Sequence, residues 1–316
     1  VKLADSNWSR PLNLKAATTD ARLEVLDPPP RPASGSATLP IRMFDVVLTW
    51  DSLPPKYWRT KQLSFFPRYV FINKLSETLL YKQDEAPFMY TLLPEERIPF
   101  HWIDNSKPKL VRVTAEDNWN WSGAFAIEAI ASFPIKLRHM ERPRETKQLR
   151  VQIRPELSTL VVVITEERSE LPAYRIENRT RLPLLVGQLG QSINEMLAPG
   201  AVIPYTWDEP AAEKKRLSIS FAGTSARAVP LLISIDKFKK HTPVAIKLSE
   251  TSTVKLSVET YPDGPTKVVQ IQEEQQTRVV SAKSEAVPTA AGSSDQAFRK
   301  TTIALFIEGI GVSVIN

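Results

Sequence analysis

The chain has no cysteine, three histidines, and only 10 glycines against 26 prolines in 316 residues. Without cysteine there can be no disulfide framework, thiolate metal site or cysteine nucleophile, and a reducing compartment such as the cytosol is expected. His101, His139 and His241 stand far apart, and no His-Glu-x-x-His, Gly-x-Ser-x-Gly or phosphate-cradling glycine-rich loop accompanies them. No catalytic residue, metal site or cofactor is therefore expected. Uninterrupted aliphatic stretches such as Leu160 to Ile164 fall far short of the roughly 20 residues that cross a bilayer. No signal-peptide pattern opens the chain, which begins at Val1 and stops at Asn316 inside strand-like sequence, so it reads as an excised fragment.

Charge of one sign is also not segregated. The net charge is +6, but 41 basic residues are scattered among 35 acidic ones, and nucleic acid is not an expected partner. The densest basic stretch, Lys136 to Arg154, is interrupted by Glu141 and Glu145; it reads as a solvated face, with a phosphate or lipid-headgroup patch as the alternative. Many prolines and few glycines suit short strands ended by proline-containing turns better than long helices.

What is present is an internal repeat. With residue 67 laid over residue 172, Pro67 meets Pro172, Tyr69 meets Tyr174 and Asn73 meets Asn178. Leu79 and Leu80 then meet Leu184 and Leu185, and Gln83 meets Gln188. Without a gap, Pro94 meets Pro199, Ile98 meets Ile203, Pro99 meets Pro204, Phe100 meets Tyr205 and Trp102 meets Trp207. A second echo repeats Asn-Trp-Ser of 7 to 9 at 120 to 122, with Leu12 over Phe125 and Leu14 over Ile127. Residues 1–60 thus read as the tail of a preceding copy, followed by whole units at 61–165 and 166–316.

Apolar residues alternate within the units: Leu149, Val151 and Ile153; Leu217, Ile219 and Phe221; Ile303, Leu305 and Ile307. Such segments recur roughly every 10 to 15 residues with turn signals between them, which predicts an all-β fold of tandem antiparallel β-sandwich repeats. Residues 28–40 and 281–297 have the Pro, Ser and Ala bias of loops, and 298–316 reads as a closing strand.

The repeated polar and aromatic residues admit two uses. Asn73 and Asn178 each end a Tyr-x-x-x-Asn strand, where a side-chain amide can satisfy backbone groups across a chain reversal, or can order a loop bordering a groove. Trp102 and Trp207, in Pro-aromatic-x-Trp segments, are either core plugs or anchors of a peptide site. Asp208 and Glu209 sit together after Trp207, but the other copy has Ile103 and Asp104 there, which argues against an acid pair for chemistry.

The phrases FPRYVFINKLSETLLYKQ (66–83), IPFHWIDNSKPKLVRV (98–113), YRIENRT (174–180), IPYTWDEP (203–210) and EGIGVSVIN (308–316) resemble the adaptor-binding region of the vacuolar protein sorting-associated protein 13 family, bridge-like lipid-transfer proteins. That region, formerly called the short-root-binding domain, is built in the family from six β-sandwich repeats with a signature Asn. The resemblance makes Asn73 and Asn178 those signature residues and the two whole units repeats five and six, with residues 1 to about 60 the end of repeat four or the beginning of repeat five. It also implies organelle adaptors carrying Pro-x-Pro motifs as partners, and a cytoplasmic, peripheral location at contact sites of endosome or vacuole and mitochondrion. Asn178, Tyr174, Gln188, Tyr205 and Trp207 are the candidate peptide-binding or groove-ordering residues; Asn73, Tyr69, Gln83 and Trp102 are candidate structural signatures.

Strand addition gives that activity a physical basis, because a sandwich edge offers unpaired backbone groups and a proline-rich ligand is already extended. Val25, Pro28 and Pro30 themselves form a hydrophobic-x-x-Pro-x-Pro pattern, read as a plain loop or as a tethered ligand. Two other functions stay open: a structural spacer in the same parent, and direct, weak contact with an anionic membrane surface through Lys136 to Arg154 and Lys237 to Lys247.

Overall fold

The computed structural model describes residues 2–3, 6–9, 11, 20–26, 42–52, 54–57, 59–167, 170–222, 229–247 and 253–273. The loops expected at 28–40 and 281–297 and the closing strand at 298–316 lie outside these. Apart from a short 3-10 turn at Pro55–Tyr57, every regular element among the described residues is a strand.

Strands β1 (Asp20–Leu26), β2 (Met43–Ser52) and β3 (Lys61–Pro67) form a three-stranded antiparallel sheet in that order. A first sandwich follows. Its larger sheet has the order β7-β4-β11-β10-β9 and its smaller one β6-β5-β8. These strands are β4 (Tyr69–Asn73), β5 (Leu79–Gln83), β6 (Tyr90–Leu92), β7 (Arg97–Phe100), β8 (Val111–Ala115), β9 (Ala131–Arg138), β10 (Thr146–Glu156) and β11 (Thr159–Glu166). The second sandwich comprises β12 (Tyr174–Arg179), β13 (Leu184–Gln188), β14 (Glu195–Leu197), β15 (Val202–Tyr205), β16 (Leu217–Phe221), β17 (Leu231–Ile233), β18 (Lys239–Lys240), β19 (Val244–Lys247), β20 (Thr253–Asp263) and β21 (Thr266–Glu273). Its sheets run β15-β12-β21-β20-β18, with β19 also on β20, and β14-β13-β16-β17. The copies therefore fold alike, except that β17 is added and β18 and β19 share the position of β9.

Alternation creates the cores. On β10, Leu149, Val151 and Ile153 are buried between outward Arg150 and Gln152; on β16, Leu217, Ile219 and Phe221 do the same. The first core gathers Tyr69, Phe71, Phe100 and Trp102 in edge-to-face contacts such as Phe100–Trp102 at 4.9 Å, with Phe125 buried in the same core. The second is built around Tyr205 and Trp207 at 5.3 Å. Burying each Val, Leu, Ile or Phe side chain contributes about 1.5–3 kcal/mol.

The all-β expectation holds, with one refinement: the sheets are not wholly antiparallel. Among the described residues the first and last strands of each sandwich, β4 with β11 and β12 with β21, pair in parallel, in register from Leu160 on Tyr69 and from Lys267 on Tyr174. The Leu160–Ile164 run reflects this, because strands buried on both faces read as continuous apolar sequence. Val161 and Val163 pack with Val70 and Ile72 as a separate cluster on the face away from the main core.

Candidate functional site

The signature residues are built into the interior. Asn73 ends β4 fully buried; its Nδ2 donates to the carbonyls of Glu77 (2.8 Å) and Leu92 (3.0 Å), and its Oδ1 accepts from the Leu75 N–H (2.9 Å). Asn178 does the same on β12. Its Nδ2 donates to the carbonyls of Leu182, Leu197 and Ala198, each at 3.0 Å, while Oδ1 accepts from the N–H and hydroxyl of Thr180. Each amide thus ties the turn after the first strand to the strand that closes the smaller sheet. No face of it is open to a ligand.

Gln83 and Gln188 use the same chemistry one strand later. Gln83 Oε1 accepts from the N–H groups of Ile103 (2.9 Å) and Asp104 (3.0 Å), and its Nε2 donates to the Asp104 carbonyl (2.7 Å). Gln188 accepts from the Glu209 N–H (2.9 Å) and donates to the Glu209 carbonyl (3.1 Å). Both shape the loop after the Trp. Trp102, Trp207, Tyr69 and Tyr205 are core side chains, and Tyr174 is half-buried against Trp207. Burial pushes the Tyr205 phenol far up. Of these residues only Tyr174 keeps part of its side chain at the surface. Val25 lies on β1 opposite Phe44, and Pro28 and Pro30 fall outside the described residues.

A surface that does offer contact lies elsewhere, between the three-stranded sheet and the first sandwich. It is an open apolar groove of about 640 Å³. Phe44 and Val46 of β2 and Phe65, Phe66 and Pro67 of β3 form one wall; Ile98 and Pro99 of β7 with Val70 form the other. Phe65 is 44% exposed. His101 stands at the end against the Phe44 ring, centroids 5.2 Å apart, and Arg97 is held on Glu156 by two hydrogen bonds of 2.7 and 3.2 Å. Burial depresses the His101 pKa, with Asp45 opposing and Arg42 reinforcing the shift.

Strand β7 is the outermost member of its sheet. Because Asn73 N–H bonds the Glu96 carbonyl and Phe71 pairs with Ile98, the even-numbered peptide groups of this strand face β4. The odd ones, at 97, 99 and 101, face outward. Pro99, lacking an N–H, is tolerated there because no ladder bond to β4 is lost. The equivalent strand β15 also carries a proline, Pro204. Where the first copy sets His101 edge-on against Phe44, the second hydrogen-bonds Thr206 to Gln148 (3.2 Å).

Reasoning from the repeat missed this groove, because Phe44, Phe65 and Ile98 come from three segments and only Ile98 recurs. The available signal was the Phe65-Phe66-Pro67 run at the end of β3, where alternation places one of two adjacent rings outside a core.

The basic stretch corrects another expectation. Lys136 and Arg138 are not a solvated face; both are buried between the sandwiches. Arg142 pairs with Glu145, Lys147 with Glu77 and Arg150 with Glu167, so carboxylates of the chain itself occupy most of the charge. Lys237, Lys239 and Lys240 of the second stretch are exposed. No helix among the described residues is long and apolar enough to cross a membrane.

Comparison with known proteins identifies a family. The family described as "Vacuolar-sorting associated protein 13, adaptor binding domain" matches residues 1–214. "Intermembrane lipid transfer protein vps13D" of Dictyostelium discoideum is 32% identical over 170 residues, covering 52% of this chain and 4% of that protein. "Intermembrane lipid transfer protein VPS13" of Chaetomium thermophilum is 25% identical over 344 residues, covering 100% of this chain and 10% of its own length. "Intermembrane lipid transfer protein VPS13D" of Homo sapiens is 29% identical over 185 residues, covering 54% and 4%. The chain thus spans a tenth or less of each of these relatives.

Proposed function

This chain belongs to the vacuolar-sorting associated protein 13 adaptor-binding family, and from that premise we propose that it captures Pro-x-Pro segments of organelle adaptors in the aromatic groove beside β7. By doing so it recruits a lipid-transfer parent, as a peripheral component, to contacts between membranes. The observation that carries the reading is the juxtaposition of an apolar, aromatic-lined groove with an outermost strand.

The chemistry of the ligand suits that rim. In a Pro-x-Pro strand the two prolines lie on one side, and neither has an N–H. Their missing donors can face away from β7 while the intervening residue exchanges backbone hydrogen bonds with the outward groups of Arg97. The bound segment then presents an edge without donors, so it closes the sheet instead of extending it. Proline rings packing on Phe44 and Phe65 supply apolar contact, as aromatic-lined grooves do for extended proline-rich segments. The ligand is stiff before binding and loses little conformational entropy, which favours a small interface of modest affinity.

Sheet membership supports a division of the chain at Tyr69 and Tyr174, the first strands of the two sandwiches, with the three-stranded sheet as the tail of a preceding copy. A spacer with no binding function is the other outcome of the test. Calorimetric titration with a hydrophobic-x-x-Pro-x-Pro peptide and its Pro-to-Ala control decides between them. Binding of the first alone is expected, and Phe65→Ala should weaken it about tenfold, the equivalent of about 1.4 kcal/mol, without moving the melting temperature. Equal isotherms for the two peptides would leave the spacer.

A further inference from the structure

The loop after Trp207 does not stay within its own sandwich. Glu209 reaches the first one: Arg112 Nη1 donates to its Oε1 (2.9 Å) and the Ala124 N–H to its Oε2 (3.0 Å). Two residues on, the Ala211 N–H donates to the Ala124 carbonyl (3.1 Å). Asp208 accepts from Arg138 Nε (2.7 Å), and Lys136 Nζ lies 2.7 Å from Glu195 and 3.4 Å from Asp208. The Lys136 side chain is only 2% exposed. A cationic group so deeply buried is tolerable while its carboxylates face it, and removing one partner leaves a charge uncompensated.

Steric fit points the same way. A Cβ on Gly123 would lie 2.0 Å from the Asp208 carbonyl oxygen and 2.5 Å from Pro210 Cδ, so the two backbones touch at a distance that only glycine allows. Gln188 holds the Glu209 peptide in place from behind, through both of its amide atoms. In the first copy Gln83 holds the corresponding Asp104 peptide through both amide atoms too, but there the acid, Asp104, turns back onto the N–H (2.9 Å) and hydroxyl (2.6 Å) of Ser106. The same glutamine device therefore serves a closed loop in one copy and a reaching loop in the other.

We propose that the Trp207–Pro210 loop is a clamp that locks the second sandwich onto the first as one rigid body, with Gln188 as its positioning residue. The clamp is independent of peptide capture.

The absence of cysteine makes the test direct. Arg154→Cys and Lys240→Cys, both at exposed sites on different sandwiches, accept spin labels, and pulsed electron paramagnetic resonance reads the distance between them in the full chain. A single narrow distance distribution is expected. Asp208→Asn with Glu209→Gln should widen it at least twofold, and Gln188→Ala should widen it although it removes no charge. Should those variants not fold, Gly123→Ala keeps every clamp side chain and wedges the backbones apart, with the same widening expected. A broad distribution in the unsubstituted chain, or a narrow one in folded Gly123→Ala, would overturn the clamp.

Discussion

Asn178 is fully buried and bonds three carbonyls and two groups of Thr180 through one amide. Truncation would strand those carbonyls away from water, so Asn178→Ala should lower stability by about 1–3 kcal/mol. An unchanged urea midpoint would contradict that geometry. The importance of this residue was legible from its recurrence as Asn73, but its burial was not, because an amide that supports a turn and one that lines a groove look the same in sequence. His101 differs in kind: it has no counterpart in the second copy, and only the structure places it at the groove. Burial holds its folded pKa below the ordinary 6.5. The unfolded chain thus binds the proton more readily. Stability at this site is complete above about 6.5 and declines as pH falls from there toward the folded value. A ring titration followed by nuclear magnetic resonance should give a midpoint below 6.5; a midpoint at or above it would refute the assignment.

At the scale of elements, alternation identified strands well, because period-two burial on β10 and β16 follows directly from side chains pointing to opposite faces. Pairing direction was not legible. Whether β11 lies parallel or antiparallel to β4 depends on which distant segment it meets, and the only local trace is the doubly buried Leu160–Ile164 run. Pro99 and Pro204, noticed at first as repeat markers, turn out to sit on outermost strands, where a missing outward donor blunts the edge. Pro99→Ala would restore that donor. Edge-to-edge association should then rise, seen in analytical ultracentrifugation as a concentration-dependent shift to dimer, whereas a strictly monomeric variant would show that the proline has no such role.

For the whole molecule, parallel closure has a geometric consequence. Among the described residues the first and last strands of each sandwich run the same way, so the chain enters each sandwich at one end and its last described strand finishes at the other. The boundary between copies then becomes the place where they diverge. At one boundary an aromatic groove stays open; at the other, buried Lys136 and Arg138 meet Glu195 and Asp208. The repeat was plain in the sequence, yet this difference was hidden in residues that do not recur, and the basic stretch that looked like a solvated face supplies half of the closed boundary. Capture of a stiff segment at the open one is the claim on which the functional account rests. Hydrogen exchange with and without a saturating Pro-x-Pro peptide tests it most directly. The account predicts slowed exchange confined to residues 61–67 and 96–102, and slowed exchange at 202–205 instead, or at neither strand, would contradict it.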